Sequence, residues 1–147
     1  MKKEDEAVAP AKSLLAAGLR ILYVDDEEGL VSLAKRMIPR LGHGVSGFTD
    51  PKEALKTFRA HPQDYDIVVT DLAMPGMSGF DLARQVLALR PQIPVLMTTG
   101  NIRDDDVHHA HEAGIREVLL KPVTADELRR VLDRLSRDAN PNGKLSA

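Results

Sequence analysis

A chain of 147 residues with 43% apolar side chains has the size of one compact domain and enough hydrocarbon for a sizeable core. Its twenty basic and twenty-two acidic side chains nearly cancel to a formal charge of -2, which excludes a global field that recruits nucleic acid or an anionic membrane. The chain has no cysteine, so disulfides and thiolate metal sites are excluded and site chemistry falls to oxygen and nitrogen.

Absent tryptophan and only 3% aromatics argue against base-stacking platforms. No apolar stretch approaches the roughly 20 residues of a membrane helix. The opening "MKKEDEAVAP" carries acids where a signal peptide has its apolar core. The expectation is a cytoplasmic chain without membrane insertion or nucleic-acid binding.

Residues 1–18, charged and then Ala-rich with Pro10 inside, read as a flexible tail or linker, in which Lys12 to Gly18 suits one weak helical turn. Leu19 to Val24 is a first apolar strand. Leu30, Leu33, Ala34, Met37, Ile38 and Leu41 follow with the spacing of a helix that buries one stripe, ended by Gly42 and Gly44. Val45 to Phe48 makes a second strand. "TDPKEALKTF" opens a second helix, with Asp50 as cap, Pro51 at the first position and Glu53 completing a capping box. Tyr65 to Thr70 is a third strand, and Phe80, Ala83, Val86 and Leu87 mark a third helix. Ile93 to Thr99 is the fourth strand, Asp104 to Ala113 a polar fourth helix and Glu117 to Leu120 the fifth strand. Thr124 and Glu127 cap a last helix carrying Leu128, Val131, Leu132 and Leu135, and residues 137–147 are composed like a disordered end.

The organised domain therefore spans residues 19–136, five strands alternating with five helices. Nearly continuous apolar strands such as "DIVV" and "PVLM" imply burial on both faces. The fold class is α/β, a three-layer doubly wound (βα)5 domain around a five-stranded parallel sheet.

In such a sheet every strand ends on the same edge, and ligands bind outside those carboxyl ends. Asp25 and Asp26 follow the first strand, Asp71 the third, Thr98 and Thr99 close the fourth and Lys121 follows the fifth. Gathered carboxylates repel and are costly to bury unless a cation joins them. An all-oxygen set suits a hard ion, magnesium or in its place manganese. An ion and a lysine beside Asp71 make it a usable nucleophile toward phosphorus, and the loop at Pro75, Gly76 and Gly79 leaves a donor room to approach. Thr99 can donate to a phosphoryl oxygen, with Gly100 leaving space beside it.

Blander readings compete at each position. Asp25 and Asp26 also suit a helix cap, Glu27 and Glu28 are ordinary first-turn acids, and a lone Lys121 reads as a solvent lysine. Met74 and Met77 read as loop packing. His108 and His111 share a helix face, but two imidazoles without a third ligand make a poor zinc site.

"ILYVDDE", "DIVVTDLAMPGMSGFDL", "IPVLMTTG" and "LLKPVTADEL", in this order and spacing, resemble the receiver domain of two-component response regulators over about Arg20 to Leu135. The resemblance implies strand order 2-1-3-4-5 and Asp71 as phosphoacceptor. It implies direct magnesium ligation by Asp26, Asp71 and the backbone carbonyl of Ala73, with Asp25 acting mainly through water. It further implies Lys121 on the acyl phosphate, a cis Lys121-Pro122 bond, and Thr99 as a switch residue coupled to an aromatic on the fifth strand. Val118 stands where that aromatic belongs, and a valine cannot make the ring swing. The implied partner is a sensor histidine kinase or a histidine phosphotransfer protein, which docks on the first-helix face. The receiver signals by conformational change, stand-alone or as part of a hybrid histidine kinase.

Two other classes stay in view. An adaptor with the same fold would bind partners without phosphoryl transfer, and Val118 keeps that reading open. A phosphohydrolase with an aspartyl intermediate needs a second acid for the leaving group, and Asp71-Leu72-Ala73 offers none. A dinucleotide fold is excluded because the first strand ends in acids rather than a glycine-rich loop.

Overall fold

The computed structural model describes residues 18–139. In chain order these form β1 (Arg20–Val24), α1 (Glu28–Arg40), β2 (Gly44–Phe48), α2 (Pro51–Ala60), a short 3-10 turn (Pro62–Asp64), β3 (Ile67–Asp71), α3 (Gly79–Leu89), β4 (Val95–Thr99), α4 (Asp104–Glu112), β5 (Glu117–Leu120) and α5 (Ala125–Ala139). All strands are parallel, in the order β2-β1-β3-β4-β5. This is the doubly wound α/β fold expected, with the 2-1-3-4-5 order that the resemblance implied. The expectations for residues 1–17 and 140–147, including the helical turn begun at Lys12, lie outside the described residues.

Two cores flank the sheet because successive side chains of a strand point to opposite faces. Leu22, Val24, Val68, Val95 and Met97 pack with Leu55 and Phe58 of α2, Leu82 and Val86 of α3 and Ala110 of α4. Ile21, Ile67, Val69, Leu96 and Leu119 pack with Ala34 and Ile38 of α1 and Leu128, Val131, Leu132 and Leu135 of α5. Every residue of β3 and β4 is buried, as continuous apolar strands require.

Local chemistry sets the helix starts. Asp50 Oδ1 accepts the Lys52 N–H at 2.9 Å, with Pro51 at the first position, while Glu53 does not complete the capping box anticipated there. The full box belongs to α3: Ser78 Oγ accepts the Asp81 N–H at 3.1 Å, and Asp81 Oδ2 accepts the Ser78 N–H at 3.3 Å. Thr124 Oγ1 accepts the Glu127 N–H at 3.0 Å and opens α5.

Two readings of the sequence are corrected. Leu33 does not belong to the buried stripe of α1; it is 44% exposed, because Val31, Ala34 and Ile38 face the sheet and Leu33 lies off that line. Gly79 is not loop. It is the buried first residue of α3, and a Cβ there would stand 2.3 Å from the Asp71 carbonyl oxygen and 3.0 Å from Leu72 Cα. Only a residue without a side chain lets α3 press this closely on the end of β3, where the Gly79 N–H donates to Leu72 O at 2.8 Å. Gly79→Ala is therefore expected to destabilise the domain by about 1–3 kcal/mol through overpacking. Urea unfolding checks this, and an unchanged midpoint would mean that the contact relaxes freely.

Candidate functional site

The carboxyl edge of the sheet gathers the acids that the chain places after β1 and at the end of β3. Asp25 is 1% exposed and Asp71 5%, whereas Asp26 faces out. Asp25 is fixed from two sides: its N–H donates to Phe48 O at 3.1 Å, and its Oδ1 accepts the Glu27 N–H at 2.9 Å. That second bond stands in for a cap on α1, whose own N-cap residue, Glu27, makes no side-chain cap bond. The two oxygens of Asp25 thus face different ways, Oδ1 to the start of α1 and Oδ2 to the edge. Its Oδ2 is buried and lies 2.9 Å from the Lys121 ammonium.

Lys121, directly after β5, bridges two strand ends, because the same Nζ stands 3.2 Å from Asp71 Oδ1. It is 19% exposed, so it is not a solvent lysine. The Lys121-Pro122 bond is cis, as the resemblance implied. The Lys121 N–H donates to Thr99 O at 2.8 Å and aligns β5 with the end of β4.

One oxygen from each of Asp25, Asp26 and Asp71 lies within 4.8 Å of the others. Ligands about 2.1 Å from a magnesium ion sit roughly 3–4 Å from one another, so a small inward shift closes this set on a hard cation. The all-oxygen composition fits such an ion, and three carboxylates against one ammonium leave an excess of negative charge for it to balance.

Burial raises the Asp71 pKa above the ordinary carboxylate value, and the charge of Asp25 adds to the rise; contact with Lys121 opposes it without cancelling it. Burial acts to lower the Lys121 pKa, yet hydrogen bonding and charge from Asp25 and then Asp71 outweigh it, so the ammonium is retained. Tyr23, two residues before Asp25 on the same face of β1, is pushed up to about 12 by burial and then by Asp25, and stays a neutral phenol.

Thr99 is buried at the edge, but its hydroxyl is engaged elsewhere: it donates to Asn101 O at 3.2 Å and accepts the Asn101 N–H at 3.3 Å. Thr98, also buried, points to the other face and lines the groove between α1 and α5. Ala73 is exposed in the loop after Asp71. Val118 is half-buried and borders an opening of about 160 Å³ between β5 and α4.

The remaining candidates stay apart from the edge. Met74 packs into the core and Met77 against it. His108 faces Glu112, Nε2 to Oε2 at 3.3 Å, and His109 sets its ring edge-on to Phe80 at 6.0 Å. Among the described residues no histidine joins a three-ligand metal cluster; the aspartate trio alone does so. Sequence reasoning missed Tyr23 and the Ser78 cap. Strand alternation from Asp25 signals the first, and the Ser78-x-x-Asp81 spacing signals the second.

Residues 21–133 match the family described as the response regulator receiver domain, and the chain belongs to that family. It is therefore a signalling domain of two-component systems. The chain is 33% identical over 130 residues to the chemotaxis protein CheY-3 of Vibrio cholerae, covering 84% of this chain and 96% of that protein. It is 31% identical over 128 residues to the two-component response regulator ARR14 of Arabidopsis thaliana, covering 87% of this chain but only 34% of that protein, so it spans about a third of that relative. The receiver domain of the sensor histidine kinase PA1611 from Pseudomonas aeruginosa, solved with magnesium in its active-site cleft, superposes with a TM-score of 0.71 at 29% identity, over 81% of this chain and 98% of that domain.

Because burial and like charge hold the Asp71 pKa up, its ionised form costs stability at neutral pH, and a neutral isostere removes that cost. Asp71→Asn is expected to unfold at higher urea than the parent at pH 7 in chelator. Magnesium should raise the parent's midpoint and hardly that of the variant, and the parent's gain should shrink as falling pH protonates Asp71. A destabilised, magnesium-responsive variant would contradict this electrostatic account.

Proposed function

We propose that the chain is a phosphoacceptor that takes a phosphoryl group from a phosphohistidine partner onto Asp71 in a magnesium-dependent reaction. The observation that carries this reading is the Lys121 ammonium held between Asp25 and Asp71 at 2.9 and 3.2 Å. An Asp71 carboxylate oxygen attacks phosphorus, the bond from phosphorus to the donor imidazole nitrogen breaks, and that nitrogen keeps the bonding electrons. Lys121 stabilises the charge on the transferred oxygens, and Thr99 donates its hydroxyl to one of them. Asp26, Asp71 and the Ala73 carbonyl would hold the ion, with Asp25 mainly through water; bound there, magnesium neutralises the carboxylates and the phosphoryl oxygens.

The donor is a sensor histidine kinase or a histidine phosphotransfer protein. A groove of about 320 Å³ between α1 and α5 opens beside Lys121 and is lined by Leu30, Leu33, Met37 and Val123, which suits the apolar face of a histidine-bearing helix. No helix among the described residues is long and apolar enough to cross a membrane. We place the domain in the cytoplasm, as a stand-alone regulator or as part of a hybrid kinase. Val118 favours a second reading, an adaptor of the same fold that works without phosphoryl transfer.

Acetyl phosphate with magnesium separates the two readings. Intact mass should show one phosphoryl group, located at Asp71 by peptide mapping and absent in Asp71→Asn or in chelator. Lys121→Ala should slow labelling by about 10²–10³-fold, the usual loss when a charge-stabilising group is removed from a reacting centre. An unmodified mass beside an authentic receiver labelled in parallel would favour the adaptor.

A further inference from the structure

The Thr99 hydroxyl carries a single proton, and it is spent on Asn101 O. Donation to a phosphoryl oxygen on Asp71 requires that this bond break, which removes one of the two bonds between Thr99 and Asn101. Asn101, Ile102 and Arg103 belong to neither helix nor strand. The first side chain beyond the released carbonyl is Ile102, 39% exposed although apolar.

Ile102 already stands at the rim of the opening beside Val118. That opening measures about 160 Å³, and its apolar lining comes from Ile102, Val107, Ala110, Ile115 and Val118. His111, Arg116 and Glu117 complete the rim, and the volume, about that of a space that holds a benzene ring, accepts a butyl side chain. The other apolar liners cannot enter it by moving alone. Val107 and Ala110 ride on α4, Val118 is fixed in the β4–β5 ladder opposite Met97, and Ile115 is held by its N–H to Ala110 O at 2.9 Å. The neighbouring helix also yields easily, since Ala110 is the one buried residue of the nine in α4, against four in α3.

We propose that Ile102 takes over the part of the missing aromatic: on phosphorylation of Asp71 the Thr99 hydroxyl leaves Asn101 O, and Ile102 folds into the opening between α4 and Val118. The inference rests on the phosphoacceptor reading of Asp71. The unphosphorylated chain keeps Ile102 outside because the Thr99 hydroxyl, donating to Asn101 O, holds the peptide that precedes it. Burying the side chain favours the closed form once that bond is lost. The signal is then a change in the surface of α4 and β5, made by an aliphatic residue of the β4–α4 segment rather than by a ring on β5.

The absence of cysteine allows a direct test. Ile102→Cys carries the only thiol of the chain, at an exposed position that tolerates it. Its reaction rate with an aromatic disulfide reagent is measured before and after acetyl phosphate and magnesium, with intact mass taken on the same samples. Labelling is expected to slow about tenfold with phosphorylation, as when a two-state equilibrium moves mostly to the buried position. Leu89→Cys, 43% exposed at the end of α3, should keep its rate. In Thr99→Val/Ile102→Cys the slowing should disappear even where the mass shows phosphorylation. A phosphoryl mass gain with unchanged or faster thiol labelling overturns this proposal and leaves Asp71 as acceptor. Slowing that survives Thr99→Val overturns it as well, because the hydroxyl would not be the link. No mass gain at all overturns the acceptor reading and this one with it.

Discussion

Like charges forced together at one edge of a parallel sheet are the constraint from which the rest of the molecule follows. Parallel pairing aligns the carboxyl ends of β1, β3 and β5, so residues distant in the chain, Asp25, Asp71 and Lys121, share one small space. Burial makes the carboxylates costly, and one ammonium relieves only part of that cost. The domain therefore folds around an excess of negative charge that a divalent cation can balance. A site of this kind needs no cleft between domains, because the strand ends supply every group.

The two faces of the sheet are built to different tightness. In the core shared with α2, α3 is clamped by its capping box and by Gly79 pressed on Asp71 O, which fixes the end of β3 from behind. On the same face α4 is barely anchored, through Ala110. On the other face α1 and α5 leave an apolar groove that runs to Lys121. Close backing at Asp71, an apolar groove beside Lys121 and a lightly buried α4 thus lie in three different parts of the domain.

Val118 changes what the third part can do. A small β-branched side chain leaves space beside α4 and removes the ring whose reorientation the family resemblance implies. The Thr99 hydroxyl, closed on Asn101, puts the nearest movable backbone after β4 rather than on β5. In the switch we propose, transmission from site to surface depends on hydrogen-bond competition at one hydroxyl, followed by apolar burial a few residues later.

The alternation of strands and helices, the parallel sheet and the converging acids were legible in the chain because each is written in local periodicity and in position relative to strand ends. Strand and helix limits shifted by a residue or two, since pairing register rather than hydropathy decides where a ladder begins. Three features were not legible. Leu33 lies in apolar spacing yet outside, because a helix's buried stripe depends on its rotation against the sheet. Gly79 reads as a loop glycine until the approach of α3 to β3 is seen. The engagement of the Thr99 hydroxyl by Asn101 depends on the turn of the backbone after β4. Short-range chemistry thus determined the elements and the kinds of group at the edge, whereas distances, burial and the competing partners of each oxygen were decided only by tertiary packing, which sets how far apart sequence-distant atoms come to rest.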